Sequence, residues 1–278
     1  MDKRRMCPHC RAFISSSDRV CPYCNTEVGP RAIDRREPKE LLGGFIPHAR
    51  FTTSIILLLN FGLFAATALF SMRQGLGGDF MSLDNRTLIE FGAKIREGIQ
   101  IGQWWRLITA GFLHGGLIHI LMNSWVLFDI GAQVEEIYGW ARMVVFYIVS
   151  TIAGFYLSTV WSASISVGAS AGIFGLIGAM IALGVRNRAH PMGAEIRGLY
   201  VRWAIYGLVL GLLPGLHVDN AAHIGGLAGG FVTAYVAGTP RLIETWSDRF
   251  WQIAAYASIA LTMVSFFKMY LWLTAPGA

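Results

Sequence analysis

Beyond residue 50 the chain is a succession of apolar runs separated by short polar breaks. The runs cover roughly 51–70, 113–131, 143–161, 170–185, 199–214, 221–238 and 251–273. Most approach the ~20 apolar residues that a helix needs to cross a bilayer. Two, 170–185 and 199–214, are shorter and rich in Gly, Ala, Leu and Ile. The pattern predicts an all-α polytopic membrane protein with about seven transmembrane helices. The first fifty residues lack an apolar segment followed by a small-residue cleavage site, so no secretory signal peptide is expected. Residues 31–50 are charged and Pro-containing and read as a linker approaching a membrane surface.

Composition sharpens this picture. Apolar residues make up 54% of the 278 and charged residues only 14%, against about a quarter in soluble domains. A soluble globule and a disordered chain fit poorly. So does a nucleic-acid binder, despite the net charge of +6. Charge is unevenly placed: residues 1–50 hold 10 of the 23 Lys and Arg. With the N-terminus inside, the inner segments carry seventeen basic residues, including Arg142, Arg186, Arg188, Arg197 and Arg202. The outer segments then carry six: Arg73, Arg86, Lys94, Arg96, Arg106 and Lys268. The excess of basic loop residues predicts a cytosolic N-terminus. It also leaves one long outer loop, about 71–112, whose aromatic and apolar residues suit the headgroup region.

All four cysteines lie in the head, as CPHC (Cys7, Cys10) and CPYC (Cys21, Cys24). Two such pairs can meet as knuckles that put four thiolates around one ion, a geometry that suits a structural zinc. Disulfide pairing and a redox motif are the alternatives. Zinc ligation needs reduced thiols and so agrees with a cytosolic head. Residues 1–30 are thus predicted to form a zinc-ribbon-like module with a possible cytosolic protein partner, and the metal has no open position for catalysis.

Polar groups inside apolar runs are costly and suggest function. The second run carries His114, His119 and Asn123. The fourth begins Gly168-Ala169-Ser170-Ala171-Gly172, which matches the G-x-S-x-G elbow of soluble hydrolases. That elbow needs a strand–turn–helix in an α/β sheet, whereas this serine opens an apolar helix. In the sixth run Gly226, Gly230, Ala234 and Gly238 recur every fourth residue behind His223, forming a stripe that permits close helix approach. Small residues also recur at Gly175/Ala179 and Gly178/Ala182. If these faces pack together, Ser170 and His223 meet at one depth as a nucleophile and its base.

In its motifs the sequence resembles the rhomboid family of intramembrane serine proteases. The resemblance rests on Trp105-Arg106, on His114, His119 and Asn123, on Gly168-Ala169-Ser170, and on His223, Gly226 and Gly230, in that order. It covers roughly residues 51–240, which it implies are a six-helix catalytic core. Residues 241–278 would add an inner loop and a seventh helix. The resemblance implies a Ser170–His223 dyad, with no cofactor in catalysis. Asn123, His119 and the Ser170 backbone N–H would form the oxyanion site, and Phe174 would stack on the catalytic imidazole. Trp105 and Arg106 would anchor the outer loop, with His114 in support. It implies single-pass transmembrane substrates, cut near the outer face in a bacterial inner membrane. One departure is Ala171-Gly172, where the family usually has glycine directly after the serine; the added methyl is expected near the oxyanion site. Asp219, one turn before His223, is the only acid placed to make a triad and reads better as a helix cap. A proteolytically silent escort protein of the same fold is the competing reading. A transporter would need ionisable residues spread over several spans and an inverted repeat.

Overall fold

A computed structural model describes residues 4–7, 9–15, 18–28, 50–75, 79–213, 218–240 and 246–275. The expected linker lies largely outside these residues. The chain divides into two compact units, a small head and a helical body, described in turn.

In the head, β1 (Arg4–Met6) and β2 (Phe13–Ser15) pair antiparallel, with Met6 opposite Phe13. The turn between them holds the first cysteine pair. Cys7 N–H donates to the Ala12 carbonyl and Arg11 takes a positive φ of 61°. The second pair repeats this geometry: Cys21 N–H donates to Thr26, Asn25 has φ 53°, and Val20 bridges Glu27. Buried apolar residues here amount to Cys7, Ile14, Cys21 and Val28.

The body is helical. Long helices are α1 (Phe51–Gln74), α5 (Leu117–Trp161), α6 (Ser170–Arg186), α7 (Pro191–Leu210), α8 (Asn220–Ala237) and α9 (Trp246–Leu273). Short helices α2 (Asn85–Glu90), α3 (Arg96–Gln100) and α4 (Arg106–Thr109) lie in the loop after α1. By length and composition α1, α5 and α9 are apolar enough to cross a membrane, and α6 is a shorter apolar helix. As one straight rod, α5 would run about 68 Å. It does not, because Gly111, just before its start, packs against Thr151 near its end. The chain reverses at Gly139 (φ 78°, ψ 163°), so α5 is two antiparallel arms. Counting them separately gives seven long helical segments, the number expected from the apolar runs.

Boundaries differ from the sequence reading where polar residues sit inside helices. The second run was expected to begin at 113, but its helix starts at Leu117, so His114 precedes the helix rather than sharing its faces. Arg142, expected in a turn, is inside the second arm of α5 and forms a buried 2.8 Å ion pair with Asp248 of α9. The fifth helix begins at Pro191, eight residues early, because proline fits the first helical turn. Arg197 and Arg202 therefore lie within α7. Gly238 is no part of the stripe: with φ 60° it ends α8.

Buried charges close helix ends. Glu135 of α5 accepts from Thr52 N–H (2.7 Å) and Thr53 N–H (3.0 Å), capping the start of α1 from another helix. Lys94 Nζ donates to the Ser162 and Ser164 carbonyls, and Arg96 to those of Thr159 and Val160, at the C-terminal end of α5. Arg106 donates to Ile89 and Ala93 carbonyls and lies over the Trp105 ring. Lys94 and Arg96 fasten the loop between α1 and α5 onto the bundle, and Arg106 ties that loop to itself.

The Gly139 conformation falls in a region open almost only to glycine. Gly139→Ala should therefore lose about 1–3 kcal/mol of stability, read as a lower Tm of the detergent-solubilised protein. An unchanged Tm would show that this turn accepts a Cβ.

Candidate functional site

The site forms where α6 and α8 begin. α8 carries two glycine rows. A Cβ at Gly226 or Gly230 would collide with the backbone of Ala171 or Gly175 on α6. A Cβ at Gly225 would lie 2.6 Å from the Ala153 carbonyl on the second arm of α5, and one at Gly229 would lie 2.9 Å from the Ala153 side chain. From the other side, Gly178 of α6 abuts the Leu227 carbonyl and Phe231. Gly154 of α5 sits where Ala171 and Ala222 meet. Three backbones thus come together without intervening side chains. The sequence reading found the Gly226/Gly230 row but missed the Gly225/Gly229 row, although the paired glycines GGLAGG were its signal.

This contact fixes the heights of the two helix starts. Ser170 is the first residue of α6 and partly exposed, and His223 is buried in the first turn of α8. Gly226, three residues after His223, presses on Ala171, the neighbour of Ser170. Phe174, one turn after Ser170, stacks on the His223 ring with centroids 4.0 Å apart and planes 15° apart. The first intrahelical acceptor of α6 is the Ala169 carbonyl, which takes the Ile173 N–H. The N–H groups of Ser170, Ala171 and Gly172 therefore have no partner within the helix, and they lie at its positive end.

Gly168 turns the chain into α6. Its N–H donates to Ala110, its φ is 131°, and a Cβ there would lie 2.8 Å from His119 Nε2 and 3.7 Å from Asn123 Nδ2. His119 and Asn123 thus approach the residue two before Ser170. Gly115 N–H points at His119 Nδ1 at 3.4 Å. That assigns the neutral tautomer with Nε2–H as a donor on the Gly168 side. Asn123 Nδ2 donates to the His119 carbonyl at 3.1 Å, which uses one of its two N–H groups. The His114 ring meets the His119 ring edge-on at 5.2 Å and is fully buried, behind the site rather than in it. Trp105 and Arg106 belong to the loop anchor described above.

One expectation holds and one changes. Asp219 is the N-cap of α8, accepting from Ala222 N–H at 3.0 Å, and its other oxygen takes the Ser158 hydroxyl. Its carboxylate is engaged away from the imidazole. The Ala171 methyl, expected beside the oxyanion residues, fills a cluster with Ala110, Phe155 and Ala222. The glycine that cannot be replaced is the next one, since a Cβ at Gly172 would lie 2.5 Å from the Tyr147 ring. Packing against Tyr147 accounts for the order Ala171-Gly172. Ser158, Tyr147, Lys94 and Arg96 were not singled out in the sequence. For the two cations the signal was charge in an otherwise apolar outer loop.

In the head, the sulfurs of Cys7, Cys10, Cys21 and Cys24 lie within 4.8 Å of one another. Cys7–Cys24 and Cys10–Cys21 are 3.7 and 3.6 Å apart, too long for disulfides. A tetrahedral zinc with ~2.3 Å bonds to sulfur needs edges of about 3.8 Å. The four thiols could hold a metal ion of that size. The Thr26 hydroxyl, 3.3 Å from Cys24 Sγ, holds that thiol down at about 5 and so favours the ligating thiolate.

A family model described as the Rhomboid domain matches residues 101–240. The chain is 36% identical over 163 residues to Rhomboid protease GluP of Bacillus subtilis (strain 168), covering 58% of this chain and 31% of that one. It is 36% identical over 162 residues to RHOMBOID-like protein 4 of Arabidopsis thaliana, covering 52% of this chain and 37% of that one. With Rhomboid-like protease 2 of Toxoplasma gondii it shares 33% identity over 206 residues, 70% of each chain. The chain thus spans about a third of the first two relatives.

Proposed function

This chain belongs to the rhomboid family, and from that membership we propose that it is an intramembrane serine endopeptidase working through Ser170 and His223. The observation that carries the reading is the Phe174–His223 stack one turn below Ser170, with Gly226 seated on Ala171. It brings a hydroxyl and an imidazole to the starts of two helices locked together by backbone contact.

The chemistry is that of a two-residue acyl transfer. Ser170 Oγ attacks the scissile carbonyl while His223 takes its proton, and a tetrahedral oxyanion forms. Asn123 Nδ2–H, His119 Nε2–H and the backbone N–H of Ser170 donate to that oxyanion, aided by the positive end of α6. The imidazolium returns the proton to the leaving amine. Water, deprotonated by His223, then cleaves the acyl-enzyme and regenerates Ser170. Substrates are single-pass membrane proteins cut near the outer end of their helix, with the N-terminal head on the cytosolic side of a bacterial inner membrane. The four head cysteines hold a structural zinc, which takes no part in hydrolysis.

Ser170→Ala and His223→Ala should each abolish cleavage of a model single-span substrate while remaining folded. A fluorophosphonate probe should label the wild type and not Ser170→Ala. Full activity in either variant would sink the dyad.

Asn123→Ala removes one oxyanion donor, typically worth about 10²–10³ in kcat. With His119 and the backbone N–H remaining, activity should be reduced but measurable. An unchanged rate across several substrates would instead make Asn123 a packing residue.

The purified, reduced protein should contain about one equivalent of zinc, and serine at Cys7, Cys10, Cys21 and Cys24 together should remove it. Less than half an equivalent in the wild type would count against the site. Removing residues 1–40 should leave cleavage in detergent largely intact.

A further inference from the structure

Helix α7 touches the rest of the bundle at few points. Its buried residues are Gly193, Tyr200 and Ala204. Tyr200 donates to Gln133 of α5 at 2.7 Å, and near the start of α7 Gly193 and Arg197 press on Gly184 of α6. Beyond Ala204, Gly207, Leu208 and Gly211 make close contacts, and these lead to His223. Asn220, in the same first turn of α8 as His223, donates to the Leu208 carbonyl at 3.1 Å. Gly207 faces the edge of the Phe174 ring, where a Cβ would lie 2.6 Å from Cζ and 3.1 Å from Cε2. One face of that ring is stacked on His223.

We propose that Gly207 is a positioning residue for the His223 imidazole, acting through Phe174. This rests on His223 being the base. The imidazole stacks on the Phe174 ring, and the edge of that ring meets the α7 backbone, so α8, α6 and α7 are linked through it. Phe174 is buried, so the ring cannot swing out into solvent. A methyl at Gly207 would sit 0.8 Å inside the 3.4 Å limit of ordinary contact with Cζ. The clash is at the ring's edge, so the ring slides across the imidazole face, and the imidazole, whose Nδ1 has no hydrogen-bond partner among the described residues, turns with it. Nothing else on α7 requires glycine at this point: residue 207 is inside a helix, where glycine is unfavourable relative to alanine by ~1 kcal/mol. The absence of a side chain is what lets α7 approach Phe174 closely enough to hold it.

The test is a double-mutant cycle on the full-length protein in detergent, with wild type, Gly207→Ala, Phe174→Leu and both together. Two readouts are needed: kcat and KM for a single-span substrate, and the rate of fluorophosphonate labelling. Because small misplacements of a catalytic group cost one to two orders of magnitude, Gly207→Ala should lower kcat and the labelling rate about tenfold, with KM within about twofold. In the Phe174→Leu background, where the edge is gone, the same change should alter both rates by less than about twofold. Equal factors in the two backgrounds would overturn the proposal, as would a change in KM alone with labelling intact. If Gly207→Ala unfolds, the melting temperatures decide: recovery in the double variant supports the Phe174 link and failure of both refutes it. Labelling that survives Ser170→Ala would refute the dyad itself, whatever Gly207 does.

Discussion

Everything at the site depends on how closely α6 and α8 approach. Gly226, Gly230 and Gly178 remove the side chains that would hold the two backbones apart, and Gly154 lets the second arm of α5 close on the same point. In a bilayer the lipid tails are as apolar as leucine, so burial does little to drive helices together. Close packing of small residues does more, because it maximises dispersion contact with no side chains to order. The same contact has a chemical consequence. Ser170 and His223 are set relative to each other by two backbones in direct touch, with no long side chain between them to flex. The proton transfer proposed between them needs such a foundation, since a misplacement of about 1 Å can cost about 10²-fold.

Charges in the body follow a second rule. Glu135 caps α1, Asp84 caps α2 and Asp219 caps α8, while Lys94 and Arg96 lie on the carbonyl end of α5. Arg142 is paired with Asp248. Carboxylates sit at helix starts and cations at a helix finish, where peptide dipoles favour them and orphan backbone groups need partners. The cost of burying these charges is offset by groups that would otherwise be unsatisfied. Once they are accounted for as helix ends and one ion pair, the site near the start of α6 is left with His114, His119, Asn123, Ser170 and His223, with no carboxylate, lysine or arginine among them.

That distinction explains which parts of the molecule were legible in the sequence. The seven apolar runs marked the long helices because hydropathy depends on local composition alone. The Gly226/Gly230 row was legible because a four-residue repeat maps onto one helix face. What escaped were features set by partners distant in the chain. Glu135 and Arg142 occupy helical positions that periodicity treats as interruptions, and their partners lie 83 and 106 residues away. Pro191 starts α7 eight residues before the apolar run begins, since the first turns of this helix are largely exposed and can be polar. His114 falls inside the apolar run that begins at 113 but precedes the helix, because the strap around Phe80–Leu83 hydrogen-bonds to Gly115 and Leu117 and takes over the backbone there.

The short motif around Ser170 shows how one pattern can arise from different physics. In soluble hydrolases the glycines of G-x-S-x-G allow a sharp strand-to-helix turn. Here Gly168 is needed because its φ of 131° suits glycine and because His119 Nε2 occupies the space of its Cβ. Gly172 is needed because the Tyr147 ring occupies the space of its own. One glycine makes room for a hydrogen-bond donor, the other for a buried aromatic on the second arm of α5. Ala171 lies between them with its methyl in the α5–α8 junction, where alanine fits and leaves no void. Each of the three residues answers to a different neighbour. The order Gly-Ala-Ser-Ala-Gly is therefore a record of what surrounds the start of α6, and exchanging Ala171 with Gly172 would create a cavity at one contact and a clash at the other.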